Sequence, residues 1–402
     1  MDADTTSGAN RSCWFDAAPP DHPPLAGHVE CDVCVIGGGI SGLATAYRLA
    51  ADGRDVVLID DGRIGSGETG RTTAHLASAL DDRFHELERV HGGEGARIAY
   101  ESHAAAIDWI EGVTDDEGID CAFARVDGFL FVPPGEPLDV LADELSAAQR
   151  AGLIGAELLD AVPGLPFDSG PCLRFPDQAQ FHPLRFLVGL AAAAIRKGVR
   201  IHGHTHAASV VGGKRPTVTT ANGHVVRAAA VVVATNVPIN DRVVLHTKLE
   251  PYRTYVITAP VPRGTVPPAL YWDSGDPYHY LRVVAGEGDD LLIVGGEDHR
   301  TGQANDMDKR FAHLEAWTRE RFPSFGEARY RWSGQVLEPV DFMPYSGRNP
   351  GNRDIYVHTG DSGQGMTNAV AGAINFAALL FEQKAHFAEL LDPARKPKAG
   401  TS

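Results

Sequence analysis

The first clear pattern in the chain is an apolar strand, an amphipathic helix and a second apolar strand. Residues 32–36 are mainly apolar and run into three glycines at 37–39, as a buried parallel strand does before a tight turn. Apolar residues then recur at helical spacing over 43–50, Gly53 provides a left-handed stop, and residues 56–59 are again apolar. The pattern predicts one β-α-β unit.

Further along, predicted helices and strands alternate. Residues 82–112 are predicted to form one or two helices. A further helix is predicted at 184–197, and Pro183 opens it, because proline's missing N–H costs nothing in the first turn. The remaining predicted elements are strands at 128–132, 199–211, 217–220, 225–235, 252–261, 278–295 and 355–358, and a helix at 369–380. Aromatic and β-branched residues alternate over 252–261 and 278–295, with turn residues between, which is typical of an antiparallel sheet. We therefore expect an α/β protein with a Rossmann-like domain and a separate antiparallel lobe.

Composition and charge narrow the class of protein. The 402 residues are 43% hydrophobic and 22% charged, as in globular proteins of two to three domains. Acidic residues outnumber basic ones by 53 to 36, and the net charge of −17 has the wrong sign for binding nucleic acid. The longest mainly apolar run, 186–195, is too short to span a bilayer, and the N-terminus lacks a signal peptide's apolar core. Five scattered cysteines fit free thiols. We expect a cytoplasmic protein with no membrane partner.

A dinucleotide-binding pattern follows the first strand. Gly37-x-Gly39-x-x-Gly42 opens the helix, so its glycines can serve the turn, the approach of a pyrophosphate and helix packing. The second strand ends in Asp60, where a carboxylate can accept hydrogen bonds from both ribose hydroxyls and would repel the 2′-phosphate of NADP. The alternative is a glycine-rich turn in another kind of α/β protein.

Two later segments favour FAD over NAD. Residues 231–235 resemble the strand that returns under the cofactor in flavoproteins, and 360–367 place amides and a helix N-terminus where a flavin would end. The positive end of that helix would stabilise the charge of a reduced flavin. A plain strand-to-helix turn is the alternative for residues 360–367.

These motifs together resemble the FAD-dependent oxidoreductases of the D-amino-acid oxidase and glycine oxidase superfamily. The motifs similar to its γ-glutamylputrescine oxidase branch are Pro23-Pro-Leu-x-Gly27, Val33-Cys-Val-Ile-Gly-Gly-Gly-Ile-x-Gly-Leu43, Arg63-Ile-Gly-x-Gly67, Gly70-Arg71, His182-Pro183 and Gly363-x-Gly365. Those similar to a subgroup that usually carries a C-terminal Rieske domain are Thr72-Thr-Ala-His75, Tyr252-Arg-Thr-Tyr-Val256, Tyr271-Trp-Asp273, Asp276-Pro-Tyr-His-Tyr280, Gly295-Gly-Glu-Asp-His299 and Trp332-Ser-Gly-Gln335.

The resemblance implies a non-covalent FAD in a Rossmann-like domain and a substrate domain built on an antiparallel sheet. The expected limits are an extended arm at 1–30, an FAD-binding domain at 31–110, 176–245 and 330–385, a substrate domain at 111–175 and 246–329, and a tail at 386–402. The expected FAD-binding residues are Gly37, Gly38, Gly39, Ile40, Ser41, Gly42, Asp60, Asp61, Arg63, Gly67, Thr69, Gly70, Arg71, Thr72, Thr73, Ala207, Ala234, Thr235, Gly363, Gln364, Gly365, Met366 and Thr367.

The resemblance also implies a reaction. The family oxidises the C–N bond of an amine to an imine by hydride transfer to flavin, with dioxygen or a protein as electron acceptor. The candidate catalytic residues are His75, Tyr255 and Tyr280. His75 could orient substrate or accept a proton, or simply pack under the flavin. The aromatic residues could face a cationic amine or form the packed faces of a sheet.

Several positions depart from the family pattern. No cysteine lies beyond Cys172, so the ligands of a Rieske centre are expected to be absent. Thr367 stands where sarcosine oxidases have a lysine that holds the substrate carboxylate, and Ile293 lies near the position of their dioxygen-activating lysine. Gln335 or Val336 replaces the cysteine that binds flavin covalently. These departures predict an amine without an essential α-carboxylate and a slow reaction with dioxygen.

Two further patterns could indicate a metal or redox site but are better explained by packing, and three possible functions stay open. His202, His204 and His206 would share one face of a strand, but the strand is expected to reach the adenine, so we expect no metal. The Cys31-x-x-Cys34 pair lies along a strand and is expected to pack in the core. Besides an amine oxidoreductase, the chain could be a flavin-binding subunit that passes electrons to a Rieske or other protein, or an amino-acid oxidase or dehydrogenase.

Overall fold

The computed structural model describes residues 8, 10–17, 19–135, 137–239, 245–383 and 385–398. The strands β1 to β17 are Val29–Ile36, Val56–Ile59, His75–Leu76, Ala124–Phe131, Glu157–Leu159, Cys172–Gln180, Arg200–His202, Ala207–Val211, Thr217–Thr220, Val225–Val233, Leu249–Val261, Leu270–Asp273, His279–Val284, Asp290–Arg300, Tyr330–Pro339, Tyr345–Arg348 and Ile355–Thr359. The α-helices α1 to α7 are Ile40–Ala51, Phe84–Glu117, Asp139–Ala151, Pro183–Arg196, Met307–Arg321, Gly365–Leu380 and Ala388–Leu391. Short 3-10 helices are Cys13–Ala17 and Glu68–Arg71.

The first sheet is the predicted dinucleotide-binding sheet. Its strand order is β16-β17-β10-β1-β2-β7, and all neighbours except β16 and β17 pair in parallel. A β8-β9 hairpin joins β10 in antiparallel pairing. The predicted β-α-β unit is confirmed as β1, α1 and β2, with β10 lying beside β1.

Both faces of this sheet are buried, which explains its continuous apolar strands. Val33 and Val35 of β1 belong to one core cluster with residues of α1, α4 and α6. Cys34 and Ile36, the alternate residues of the same strand, pack into a second cluster with Leu25 and strands of the hairpin. A strand covered on both faces needs apolar residues at successive positions, so its sequence does not alternate.

The second sheet has the order β15-β11-β14-β13-β12-β4-β6-β3, with β5 also paired to β6. Its pairs are antiparallel except β4 with β12. The expected fold class, a Rossmann-like α/β domain with an antiparallel lobe, is therefore confirmed. The domain limits stay a prediction; β15, which falls in the range 330–385, pairs with β11 of the second sheet.

Several element limits differ from the predicted ones. Residues 278–295 form two strands, β13 and β14, and 199–211 form β7 and β8. His204 has a φ of 45°, which ends β7 and prevents the three nearby histidines from sharing one strand face. The predicted helix 82–112 is longer, α2, with a non-helical Gly92. Helix α5 was missed because its mainly polar sequence buries few residues, among them Phe311 and Leu314.

The N-terminal segment packs against the chain that follows β2. Within the predicted arm 1–30, Trp14 donates from Nε1 to the carbonyl of Thr72 at 2.6 Å, and Ser12 donates to the carbonyl of Gly70 at 2.5 Å. Residues 1–7, 9 and 18 of that arm lie outside the described residues. Within the described ranges, no helix combines the length and apolar character needed to cross a bilayer.

Candidate active site

The glycine turn after β1 brings three segments of backbone into contact. Gly37 has a φ of 111°, and a Cβ atom there would lie 2.3 Å from the carbonyl oxygen of Ala234 on the neighbouring strand. A Cβ at Gly42 would lie 1.8 Å from the carbonyl oxygen of Gly37, so helix α1 can approach the turn only with glycine there. Gly37 and Gly42 therefore let the turn after β1 pack tightly between β10 and helix α1.

Asp60 holds this turn. Its Oδ2 accepts the amide of Gly38 at 2.6 Å, and its Oδ1 accepts the amide of Gly62 at 2.8 Å. Burial raises the pKa of Asp60, and the two amide donors oppose that rise. A carboxylate has about four acceptor positions, so Asp60 keeps acceptor capacity for the ribose hydroxyls of a nucleotide.

The N-terminus of α1 supplies donors to the same space. Its N-cap is Gly39, which has no side chain to accept the first amides of the helix. The amide of Ile40 donates to Oγ1 of Thr69 at 3.1 Å. The Ser41 hydroxyl is buried and has no hydrogen-bond partner among the described residues. Unpaired donors at the positive end of a helix form a site for an anion such as a pyrophosphate.

Arg71 adds a cation to this wall. Its Nη1 donates to the carbonyl of Ser333 and its Nη2 to that of Asn10, both at 2.9 Å, while its Nε has no partner among the described residues. Arg71 is 3% exposed, and Glu68 is the described carboxylate whose charge acts on its guanidinium. Burial lowers the pKa of Arg71, as expected for a cation without a bound anion.

A second helix N-terminus faces the opposite end of the space. Gly363, with a φ of 72°, turns the chain into α6, whose N-cap Gln364 caps no amide with its side chain. The Gln364 amide instead donates from Nε2 to the carbonyl of Ala79 at 2.7 Å. Gly365 and Met366, which supply the first amides of α6, line the cavity. These amides have no partner within the helix, so they could bind the polar edge of a flavin.

A single cavity of about 490 Å³ runs between these two helix ends, along the carboxyl ends of the parallel strands. The expected FAD-binding residues that line it are Gly37, Gly39, Ile40, Ser41, Asp60, Asp61, Gly67, Thr69, Arg71, Thr72, Thr73, Ala207, Ala234, Thr235, Gly363, Gln364, Gly365 and Met366. The carboxyl edge of such a sheet is the usual place for a dinucleotide. The buried Ser41 hydroxyl and Arg71 Nε have no hydrogen-bond partner among the described residues, and the turn at Gly37 leaves no room for a Cβ atom. These features fit the binding of FAD.

Besides Thr367, four of the expected residues do not line the cavity and make structural contacts instead. Gly38 gives its amide to Asp60, and Gly42 packs against the turn. A Cβ at Gly70 would lie 2.9 Å from the ring of Phe15, so this glycine lets the N-terminal segment pack closely. Arg63 lies 3.6 Å from the carboxylate of Asp21.

Thr367 points away from the cavity. Its hydroxyl lies 3.1 Å from Nδ1 of His103 and donates to the carbonyl of Gln364 at 3.2 Å. The side chain is fully buried inside α6 and its packing partners. At this position a helical side chain faces the interior, so an interaction of its hydroxyl with the cofactor is not supported by the structure.

His75 lines the cavity with both ring nitrogens occupied. Its Nε2 lies 3.3 Å from the carbonyl of Leu281, which can only accept, so this nitrogen carries the proton. Its Nδ1 then accepts the hydroxyl of Thr73 at 3.0 Å. Burial, with the charge of Arg282, lowers the pKa of His75 to about 3, so the ring is neutral at pH 7. This arrangement positions Thr73 and leaves no free nitrogen for proton transfer.

The two candidate tyrosines lie on opposite faces of the second sheet. Tyr280 lines the cavity, and its hydroxyl lies 2.9 Å from Oγ1 of Thr254. Tyr255 of β11 and His279 of β13 both pair with Gly296 of β14, so their side chains lie on the same face of the sheet. Tyr280 is the next residue along β13, so its ring lies on the opposite face from that of Tyr255. On its own face, Tyr255 packs against Phe311 of α5. Tyr255 therefore does not reach the cavity.

Several residues that line the cavity were not predicted from the sequence. They include Asp81, Thr205, Asn236, Thr254, His358 and Asp361. Thr205, Asn236 and Asp361 directly follow parallel strands or their turns, so the rule that ligands bind at carboxyl ends of strands could have found them. Asp81 and Thr254 come from the second sheet and its connections, where no local pattern indicates them.

The parallel sheet and the cavity at its edge define a dinucleotide-binding protein with an attached antiparallel lobe. Residues 32–379 match the family model DAO, described as FAD dependent oxidoreductase, and the chain belongs to this family. It is therefore an FAD-dependent oxidoreductase, and the expected cofactor and enzyme class are confirmed.

Relatives and solved structures agree with this assignment. The chain is 32% identical to YhfW of Bacillus subtilis (strain 168), over 94% of this chain and 74% of that protein. It is 29% identical to γ-glutamylputrescine oxidoreductase of Escherichia coli (strain K12), over 90% and 84% of the two chains. Glycine oxidase from Geobacillus kaustophilus has the same fold, with a TM-score of 0.78, 19% identity, and 92% and 99% of the chains covered.

Proposed function

We propose that this enzyme oxidises the C–N bond of a small amine that needs no α-carboxylate. The E. coli relative is by name an oxidoreductase of γ-glutamylputrescine, and another relative is by name a glycine oxidase. These names support an amine or amino-acid substrate. The distribution of charge around the cavity favours the amine.

One observation carries this choice. Arg71 is the one arginine or lysine among the described residues that line the cavity, and its Nη atoms already donate to backbone carbonyls. Arg282 lies outside the lining, where it donates to Gln180 and to the carbonyl of Phe181 at 2.9 Å. A substrate carboxylate in this cavity would therefore have Arg71 as its one cationic partner among the lining residues, and both Nη atoms of that guanidinium already donate to backbone carbonyls, so burying the carboxylate would be costly.

The chemistry that FAD would supply when held at this cavity is acceptance of a hydride; the amine would lose that hydride from the carbon next to its nitrogen, and water would hydrolyse the resulting imine to a carbonyl compound and ammonia or a smaller amine. The residues of the chain orient the substrate for this reaction. Thr254 and Tyr280 share a hydrogen bond on the wall of the cavity, and neutral His75 packs edge to face against Tyr280 at 5.7 Å. These contacts fix the tyrosine ring beside the substrate.

We further propose dioxygen or a protein as the electron acceptor and the cytoplasm as the compartment. YhfW carries the name of a Rieske 2Fe-2S iron-sulfur protein, which supports a protein acceptor in this group of relatives. All five cysteines are free thiols buried in the protein, which fits a reducing compartment.

The test is anaerobic reduction of the flavin by compounds that differ only in the carboxylate. The pairs are butylamine with 2-aminopentanoate, and 1,4-diaminobutane with ornithine. We expect at least one amine to bleach the flavin absorbance while its carboxylated partner does so far more slowly. Faster reduction by the amino acid of each pair would overturn the proposal.

A further inference from the structure

Two side chains of the N-terminal segment hold the backbone on either side of Arg71. Ser12 donates its hydroxyl to the carbonyl of Gly70 at 2.5 Å, and Trp14 donates from Nε1 to the carbonyl of Thr72 at 2.6 Å. Ser12 is 1% exposed and Trp14 is 2% exposed, so neither side chain is open to solvent. Buried hydrogen bonds fix geometry strongly, because breaking one leaves an unpaired polar group away from water.

Arg71 itself is held at its backbone and at its charged end. Its carbonyl accepts Nε1 of Trp332 at 2.8 Å. Its guanidinium donates from Nη1 to the carbonyl of Ser333 and from Nη2 to that of Asn10, both at 2.9 Å. A Cβ atom at Gly8 would lie 2.2 Å from Cζ of Arg71, so the N-terminal segment lies directly against the guanidinium. The segment therefore contacts both the backbone beside this arginine and its charge.

One donor of Arg71 is left unpaired. Its Nε is buried and has no hydrogen-bond partner among the described residues, and Arg71 lines the cavity together with Thr72 and Thr73. A guanidinium is planar and rigid, so fixing Nη1 and Nη2 also fixes the direction of the N–H group at Nε. A donor whose direction is fixed before the ligand arrives binds an acceptor at a lower entropic cost.

Trp14 anchors the N-terminal segment to the second sheet and to α4. The Cζ atom of Arg282, on β13, lies 5.2 Å from the centre of the Trp14 ring. The same ring meets that of His182, the N-cap of α4, edge to face at 5.0 Å. A cation over an aromatic face adds an attraction of its own. The hydrogen bond to Thr72 is therefore made by a ring that is fixed from several directions.

We propose that Ser12 and Trp14 are positioning residues for FAD, which fix the Arg71 guanidinium in the orientation that binds the cofactor. This inference concerns the cofactor site and does not depend on which amine the enzyme oxidises. Arg71 is the one arginine or lysine among the described residues that line the cavity. FAD is an anion through its pyrophosphate, and a charge-assisted hydrogen bond depends on the direction of its donor.

The first experiment removes one hydrogen bond at a time. Trp14→Phe keeps an aromatic ring and loses the donor to Thr72, and Ser12→Ala loses the donor to Gly70. The dissociation constant of FAD is measured by ultrafiltration of diluted holoenzyme, with free FAD quantified by its fluorescence. We expect each variant to bind FAD about threefold to tenfold more weakly, as the loss of one hydrogen bond implies. An unchanged dissociation constant would overturn the inference for the residue concerned.

A double-mutant cycle with Arg71→Gln separates positioning from general support of the fold. Arg71→Gln alone should weaken FAD binding at least about tenfold, because it removes a charged donor. If Trp14 acts through Arg71, Trp14→Phe should then change FAD affinity by less than about twofold in the Arg71→Gln background. Loss by the same factor in both backgrounds would show support of the fold alone and would overturn the inference. Unchanged affinity in Arg71→Gln would overturn it as well.

Gly8 gives an independent test that leaves both hydrogen-bonding side chains in place. Gly8→Ala would place a methyl group 2.2 Å from Cζ of Arg71 and displace the guanidinium, while Gly53 has the same kind of positive φ and open space. We expect Gly8→Ala to weaken FAD binding about threefold or more, and Gly53→Ala to leave it within about twofold. In the Arg71→Gln background the effect of Gly8→Ala should vanish, because glutamine lacks the Cζ atom. Equal losses in the two glycine variants would attribute the effect to backbone strain and contradict the inference.

Asp16→Ala is the control within the N-terminal segment. Asp16 lies 3.1 Å from Nε2 of His182 and 3.7 Å from the guanidinium of Arg185, so it joins the segment to α4. Its replacement should leave FAD affinity within about twofold, since exposed ion pairs contribute little. A loss equal to that of Trp14→Phe would show that any loosening of the segment suffices, against the proposal. Urea unfolding checks that each variant is folded; if Trp14→Phe is not, Ser12→Ala and Gly8→Ala enter the same cycle with Arg71→Gln.

Discussion

The amide of Gly38 donates to Oδ2 of Asp60 at 2.6 Å, so the acid that ends β2 holds the turn that ends β1. The second oxygen of Asp60 holds Gly62, which fixes the next loop against the same carboxylate. This geometry couples the shape of the glycine turn to the residue proposed to bind the ribose. Loss of Asp60 should therefore disturb two parts of the FAD site.

The Asp60→Ala variant is expected to bind FAD at least tenfold more weakly, because charge-assisted hydrogen bonds contribute about 1.5–3 kcal/mol. FAD titration of the apoprotein, followed by quenching of flavin fluorescence, measures the change. Asp55→Ala is the control, since Asp55 lies before β2, at the opposite end, in an exposed pair with Arg200. An unchanged dissociation constant in Asp60→Ala would reject the assignment.

Gly37 gives a second prediction, with a matched control on the same β-α-β unit. Gly37 and Gly53 both have positive φ, 111° and 85°, but a Cβ at Gly37 would lie 2.3 Å from Ala234 while Gly53 has open space. Gly53→Ala should cost about 1–2 kcal/mol of unfolding free energy from backbone strain alone. Gly37→Ala should cost more and lose FAD affinity, as urea unfolding and FAD titration would show. Equal effects of the two variants would contradict the close approach.

No cysteine is placed for covalent attachment of the flavin. Gln335 and Val336, which the sequence resemblance aligns with the flavin-binding cysteine of sarcosine oxidases, line the cavity, and none of the five cysteines does. We therefore expect non-covalent FAD. Acid precipitation should release the yellow colour into the supernatant. Colour retained in the washed pellet would contradict this prediction.

The sequence predicted the parts of the site that depend on local spacing. The glycine turn and Asp60 lie within 24 residues of each other, and the fingerprint that relates them needs only the β-α-β unit. Tyr255 and Tyr280 could not be separated in this way. The register of β11 and β13 against β14 decides which of the two tyrosines points toward the cavity. A shift of one residue in that register would move each side chain to the opposite face of the sheet.

The grouping of acidic residues near the Gly363 turn was beyond prediction for a related reason. Asp81, Asp298 and Glu338 come from three separate segments, and each alone is an ordinary acid in a chain of net charge −17. Their raised pKa values arise from burial together, which is a property of the tertiary fold. The adjacent pair at residues 81 and 82 was the only local signal, and such pairs are usually solvated.

Asp298 also makes the stability of the protein depend on pH. Its pKa is about 7 in the folded protein against an ordinary value of 3.8, so the folded state binds the proton more tightly. Its contribution is therefore most favourable at low pH and is lost as pH rises from about 4 to 7. Asp298→Asn should raise the unfolding free energy by roughly 1–3 kcal/mol at pH 8 and by less at pH 5.

Urea unfolding of the holoenzyme at the two pH values measures this difference. Asp289→Asn, at an exposed position on the connection before β14, is the control and should change stability equally at both pH values. A gain in Asp298→Asn that is equal at the two pH values, or larger at pH 5 than at pH 8, would show that the pKa of Asp298 is not raised in the folded protein and would contradict the prediction.

The last prediction is a slow reaction of the reduced enzyme with dioxygen. A cation beside the flavin lowers the barrier to forming superoxide. Ile293, which the sequence resemblance aligns near the dioxygen-activating lysine of sarcosine oxidases, is an aliphatic residue fully buried in the core. His75 cannot replace that lysine because its pKa of about 3 keeps it neutral at pH 7. His75→Gln should therefore change the reoxidation rate by less than about twofold, since a neutral side chain replaces a neutral one. Stopped-flow mixing of the reduced enzyme with air-saturated buffer measures both rates. Reoxidation far faster than that of free reduced flavin would show that another cation, with Arg71 the first to test by Arg71→Gln, makes the enzyme a true oxidase.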